Sequence, residues 1–322
     1  LGATPLARRL RRGLRLSAAP NRTGRFAPSP TGTLHLGNLR TALLAWLSAR
    51  AQGAPFLMRV EDLDTGRVRP HFEAQQLADL AAIGLDWDGP VVRQSERLEL
   101  YDAALEQLGA AGTLYPCWCT RAEIREAASA PHGPLPEGHY PGTCRRLTAA
   151  QRAEREASGR PPALRVDAGS AAVTFVDRLH GAQQGVVDDF VVRRNDGAFA
   201  YNLAVVVDDG AQAVGEVVRG DDLLDSTPRQ LWLATRLDLN ALAFAHVPLV
   251  LGRDGARLAK RHGAVTLADR LEQGESAETV RAHLAASVGL AEPGERPSAA
   301  ELVSRLNPDR FAPPPSGPLP GV

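Results

Sequence analysis

Leu39, Ala42, Leu43, Trp46 and Leu47 recur at three- and four-residue intervals, which predicts a long amphipathic helix over Asn38–Ala51. Gly53 and Pro55 stop it. Ahead of it, Arg25–Pro28 reads as a short strand. Behind it, Phe56-Leu-Met-Arg-Val60 reads as a buried strand leading into Glu61. Helices follow at about 71–83 and about 95–111. Strand, helix, strand, helix in that order predicts an α/β fold with a right-handed parallel sheet. Apolar, β-rich runs return at Ala172–Val176, Val186–Arg193, Phe199–Val207 and Ala213–Val218. A helix near Thr227–Arg236 and a strand near Val247–Leu251 would complete the sheet, with one or two helices over Val265–Leu290. Ligands of such sheets bind at the carboxyl ends of the strands. The turn after Arg25 and the residue Glu61 both fall there.

Composition narrows the possibilities. The chain has 322 residues, enough for a large core and more than one domain. Its 37 basic residues equal its 37 acidic ones, so a generally basic nucleic-acid binder is excluded and any such contact must be local. Only three cysteines are present, which argues against a disulfide framework and for a reducing, cytoplasmic setting. No apolar run approaches the roughly 18 residues of a membrane span. Residues 1–23 stand apart. Arg8, Arg9, Arg11, Arg12, Arg15 and Arg22 have no acid among them, and the stretch is expected to be disordered.

Two places carry chemistry. Arg25-Phe-Ala-Pro-Ser-Pro-Thr-Gly-Thr-Leu-His-Leu-Gly-Asn38 sets a Pro/Gly turn before a helix start. Helix starts offer unpaired N–H groups and a positive dipole end, which suit phosphates. His35 can donate to a phosphate oxygen, and Gly37 has no Cβ to keep a nucleotide from the backbone. The second place is Cys117-Trp-Cys119 with Tyr140 and Cys144, which hold every cysteine of the chain. Three thiols and a phenol could close a tetrahedral zinc site, with His132 and His139 as rival fourth ligands. The plainer alternative is three small buried apolar side chains.

These residues resemble the glutamyl branch of the class I aminoacyl-tRNA synthetases from about Gly24 to Thr266. His35-Leu-Gly-Asn38 is similar to the first class signature. Arg257-Leu-Ala-Lys260 stands where the second, a Lys-x-Ser-Lys loop, is expected, with Arg257 for the first Lys and Ala259 for the Ser. Arg59-Val-Glu-Asp-Leu-Asp64, Tyr201–Asp209 and Val218–Gln230 resemble glutamate-site segments. Little chain follows Thr266, and the Cys-x-Cys…Tyr-x-x-x-Cys wording resembles a truncated paralogue that passes glutamate to queuosine of tRNA(Asp).

The resemblance implies a Rossmann-like catalytic domain in two halves, 24–114 and 186–252, around an inserted zinc-binding, acceptor-type module, 115–185. A signature loop and helical region, 253–310, and a Pro-rich tail, 311–322, would follow. It implies ATP contacts at His35, Gly37, Asn38, Arg257 and Lys260, with His35 and Lys260 catalytic. Glutamate contacts would fall on Arg25, Phe26, Ala27, Pro28, Ser29, Glu61, Tyr201 and Arg219, with Glu61 taking the ammonium. Cys117, Cys119, Tyr140 and Cys144 would hold one structural zinc, and Mg²⁺ would accompany ATP. The implied partners are ATP, L-glutamate and queuosine-containing tRNA(Asp), with no membrane and a monomeric chain. Arg145, Arg146, Arg152 and Arg155 are candidate RNA phosphate contacts. Rival readings are a discriminating glutamyl-tRNA synthetase charging a tRNA 3′ end, a silent RNA- or amino-acid-binding paralogue, and a small-molecule nucleotidylyltransferase.

Overall fold

Strands β1 (Gly24–Phe26), β2 (Phe56–Val60) and β3 (Val92–Arg93) pair in parallel in the order β1-β2-β3. The computed structural model describes residues 22–120, 122–124, 139–252, 254–255, 258, 263 and 265–307. A second sheet has the order β7-β6-β10-β9. In it, β9 (Glu216–Gly220) and β6 (Ala172–Asp177) run parallel to β10 (Ala243–Val247), and β7 (Gly181–Val186) forms an antiparallel hairpin with β6. The two sheets meet where Gly215 and Glu216 N–H donate to Thr23 O at 2.9 and 3.2 Å. A smaller antiparallel sheet joins β4 (Leu114–Cys117), β5 (Ala163–Val166) and β8 (Val191–Arg193).

The first helix, α1 (Leu36–Arg50), is buried on nearly every side rather than amphipathic. Arg40 and Ser48 are as covered as Leu39 and Leu43. The cause lies far along the chain. Helices α2 (Pro70–Ala82) and α3 (Leu98–Ala110) follow the first strands, then α4 (Ala149–Ala157), α5 (Tyr201–Ala211), α6 (Thr227–Arg236) and α7 (Leu267–Glu272). The last two described, α8 (Ala277–Ala286) and α9 (Ala299–Arg305), pack on α1 through Val280, Leu284 and Leu302 in one core. Helix α9 lies beyond the helices expected over Val265–Leu290, and its one sequence signal is the capping box of Ser298 and Glu301.

Three expected elements differ. The β-rich run Phe199–Val207 largely enters helix α5, because short apolar runs fit a buried helix as well as a strand. The neighbouring Asp208 and Asp209 show why helix wins: both carboxylates are buried against arginines, whereas successive strand side chains point to opposite faces. The strand expected at Val247–Leu251 instead ends at Val247, since Pro248 has no N–H to continue a ladder. The run Val186–Arg193 splits between β7 and β8, with Asp188 and Asp189 at the break. Asp188 accepts from Arg229 Nε at 2.6 Å, and Asp189 accepts from the Tyr115 hydroxyl at 2.7 Å.

Candidate active site

The carboxyl ends of β1, β2 and β9 open on a cavity of about 560 Å³. Arg25, Phe26, Ala27, Pro28, Ser29, His35, Gly37, Asn38, Glu61, Tyr201 and Arg219 all line it, although they come from widely separated segments. Arg257, Lys260 and Ala259 lie outside the described residues. Among the described residues near them, Leu258 N–H donates to Val250 O at 3.1 Å, and Val265 O accepts from Leu36 N–H at 2.7 Å.

His35 is the N-cap of α1. Its Nδ1 accepts from Asn38 N–H at 3.2 Å, and Asn38 Oδ1 accepts from His35 N–H at 3.1 Å. Two orphan donors of the helix start are thereby satisfied. With Nδ1 an acceptor, the neutral ring carries its proton on Nε2, so the imidazole is a donor. A Cβ on Gly37 would come within 3.0 Å of the His35 ring. Glycine at this position thus leaves the His35 ring its place, which any side chain would press against.

Arg59 is completely buried between acids. It lies 2.8 Å from Asp209, 3.5 Å from Glu61 and 3.8 Å from Asp208. Arg25 adds a two-point contact to Asp209 at 3.3 and 3.4 Å through Nε and Nη2. Burial alone would raise the Asp209 carboxyl, but Arg25 and Arg59 hold it below its usual range. At Glu61 the balance reverses: burial lifts its pKa against the opposing pull of Arg59 and Arg25. Asp62 accepts from Ser95 N–H at 2.8 Å and so caps a short turn.

Arg219 is held on several sides. Its Nε donates to His246 Nε2 at 3.0 Å, Nη1 to Gln230 Oε1 at 2.8 Å, and Nη2 to Thr227 Oγ1 at 2.9 Å and Leu223 O at 3.3 Å. Tyr201 stands beside it, 40% exposed at the cavity wall. The residues that fix this geometry, Arg59, Asp209, Gln230, His246 and Asp177, were not singled out individually from sequence. Buried charge among apolar strands was their available signal.

A second cavity of about 600 Å³ shares Ser29, Glu61 and Tyr201 with the first. Arg67, Arg160, Arg165, Arg194 and Asn195 line it, and it reaches Cys117 and Cys119. The expected RNA contact Arg145 is instead engaged by Asp167 and by Asp189, the latter at 3.1 Å. Arg155 lies 3.7 Å from Glu123.

Cys117, Cys119 and Cys144 form the candidate metal group among the described residues, their Sγ atoms all within 4.8 Å of one another. Tyr140 Oη lies 3.4 Å from both Cys117 Sγ and Cys119 Sγ, and Cys119 and Cys144 Sγ are 3.4 Å apart. Zinc–sulfur bonds of about 2.3 Å give tetrahedral edges near 3.8 Å, so these donors fit a zinc ion with little movement. Tyr140 Oη accepts from Cys144 N–H at 2.8 Å, and the Arg165 guanidinium lies 3.8 Å from the Tyr140 ring centre, positioned to offset thiolate charge. His139 does not join the cluster, and His132 lies outside the described residues. No described helix is long and apolar enough to cross a membrane.

Residues 22–291 match the family of class I tRNA synthetases (E and Q), catalytic domain. The parallel sheet, the capped helix start and the cavity thus define a class I aminoacyl-tRNA synthetase. The chain is 28% identical, with a TM-score of 0.78, to a glutamate tRNA ligase from Elizabethkingia meningosepticum solved with its amino acid, covering 93% of this chain and 67% of that one. It is 62% identical over 288 residues to a glutamyl-Q tRNA(Asp) synthetase of Nocardia farcinica, covering 89% of this chain and 90% of the relative. A glutamyl-Q tRNA(Asp) synthetase of Symbiobacterium thermophilum is 54% identical over 292 residues, covering 87% and 90%. The chain belongs to the glutamyl-Q tRNA(Asp) synthetase family.

Proposed function

We propose that the chain activates L-glutamate with ATP, without tRNA, and transfers it to queuosine in the anticodon of tRNA(Asp). The observation that carries this reading is the convergence of Arg25, His35, Glu61, Tyr201 and Arg219 on one cavity, in a chain so similar to glutamyl-Q tRNA(Asp) synthetases. In it, Glu61 receives the ammonium of glutamate, and Arg25 and Arg219 receive its carboxylates. A glutamate α-carboxylate oxygen attacks the α-phosphorus of ATP; the bond to the β-phosphate oxygen breaks and pyrophosphate leaves. His35 and the start of α1 face the developing phosphate charge, joined by Arg257 and Lys260 of the signature loop. Mg²⁺ bound with ATP would supply further charge neutralisation on the phosphates.

The second cavity supports the transfer step. It adjoins the first at Ser29, Glu61 and Tyr201, and its arginines suit a nucleotide. A hydroxyl of the queuosine cyclopentenediol attacks the activated carbonyl there, giving an ester and releasing AMP. The proposed functional divisions are catalytic halves near 24–114 and 186–252 around a module near 115–185, with two exchanges: β6 and β7 join the catalytic sheet through β10, and β8 joins the module sheet through β5. Incubation with labelled glutamate, ATP and tRNA(Asp), with and without queuosine, tests the reading. Label on the anticodon of the modified tRNA alone supports it; label on the 3′ end would favour a discriminating glutamyl-tRNA synthetase.

Cys117, Cys119, Tyr140 and Cys144 would hold one structural zinc ion, which braces the module between β4 and the following turn. Elemental analysis should find one zinc per chain. Cys144→Ser should lower that content and the melting temperature together. Full zinc loading of the variant would remove Cys144 from the ligand set.

A further inference from the structure

His246 on β10 is fully buried directly behind Arg219, and the proposed chemistry assigns it nothing. Its Nδ1 lies 2.6 Å from Asp177 Oδ2, which also accepts from the His246 backbone N–H at 3.2 Å. Asp177 is ionised: burial works against that, but His246 and the amides of Leu179 and His180 outweigh it and hold the pKa below the usual carboxylate range. A carboxylate only accepts, so Nδ1 carries the imidazole proton and Nε2 presents its lone pair. Arg219 Nε only donates, and it stands 3.0 Å from that lone pair. Thr227 Oγ1 lies 3.2 Å from the same nitrogen. The ring stacks on Phe244 with centroids 5.8 Å apart and planes 9° apart. On the far side, His180 Nε2 is 2.9 Å from the His246 carbonyl oxygen. The chain Asp177–His246–Arg219 therefore has one consistent direction of donation. A ring protonated on both nitrogens would set one cation against another.

We propose that His246, oriented by Asp177, is a positioning residue for glutamate selection. It fixes the Arg219 guanidinium by its Nε edge. Gln230, Thr227 and Leu223 fix the outer nitrogens of this cavity-lining side chain, and those contacts use one of the two Nη1 hydrogens. A guanidinium free to rotate would lose glutamate affinity without disturbing the ATP contacts, which come from other segments. The inference rests on the reading of Arg219 as a glutamate contact.

Glutamate-dependent ATP–pyrophosphate exchange by the full chain tests it. His246→Phe keeps the stacking on Phe244 but removes the acceptor. The glutamate KM should rise about tenfold or more while the ATP KM changes by less than about twofold. His246→Gln, whose amide oxygen can accept from Arg219 Nε, should recover most of the loss. NMR of the wild-type chain labelled with ¹⁵N-histidine should show a neutral Nδ1–H ring at pH 7. If Arg219→Ala raises the glutamate KM and His246→Phe does not, or if the buried ring is an Nε2–H tautomer, the proposal falls and the glutamate assignment stands. If Arg219→Ala leaves the glutamate KM unchanged, the underlying assignment falls, and the proposal with it. Should His246→Phe fail to fold, the Gln variant and the tautomer decide.

Discussion

Arg219→Ala is expected to raise the glutamate concentration needed for adenylate formation by about 10²-fold or more, with the ATP requirement nearly unchanged. A hydrogen bond to a charged group is worth about 1.5–3 kcal/mol, and each 1.4 kcal/mol is about tenfold. A carboxylate left without its cation in the cavity adds to that. Initial rates of ATP–pyrophosphate exchange, titrated separately in each substrate, give the split. An equal rise in both requirements would show that the substitution disorders the whole cavity instead of one subsite. Three side chains and a carbonyl already grip this guanidinium. It therefore does not present the open bidentate fork suggested by residue type alone.

The largest stability effect is expected at Arg59, which binds no substrate in this account. Arg59→Met leaves Asp208, Asp209 and Glu61 without the guanidinium they surround. Removing one partner from a buried ionic group costs about 3–5 kcal/mol. For a chain of this size the melting temperature should fall on the order of 10 °C. The pH dependence has a definite sign. The folded pKa of Asp209 is depressed, so its stabilisation is present above the unfolded carboxylate value of about 3.9 and is lost as pH falls through the folded value. Glu61, with its pKa raised, runs the other way: ionised, it is a cost that Arg59 reduces. The gap between wild type and variant should narrow on acidification toward pH 3. A gap independent of pH would mean that lost packing, not charge, dominates.

Much of this was legible from sequence because it depends on local pattern. The long helix after the Pro/Gly turn, the strand Phe56–Val60 and the helix Thr227–Arg236 follow from spacing and turn residues, whereas the capping role of His35 comes from the structure. The cavity-lining set was reached through motif resemblance, and the described members do converge. Arg257 and Lys260 lie outside the described residues. What sequence missed depends on tertiary company. Val205–Val207 looks like strand until Arg25 and Arg59 supply partners for Asp209. Asp177 and His246 are far apart in the chain, and only the parallel pairing of β6 with β10 brings them together. Of the arginines that sequence offers for RNA phosphates, Arg152 and Arg155 lie on the exposed helix α4, and Arg145 and Arg146 lie in the turn ahead of it. The second cavity draws its arginines from separate segments, which no window of sequence would group.

The covering of α1 by α8 and α9 bears on how the molecule is made. Helix α1 is synthesised more than two hundred residues ahead of Val280, Leu284 and Leu302, which share its core. Until they emerge, the nascent catalytic helix keeps an oily flank exposed to water and to chaperones. A chain shortened to remove α8 and α9 is therefore expected to expose that flank of α1 and to associate more readily than the full chain.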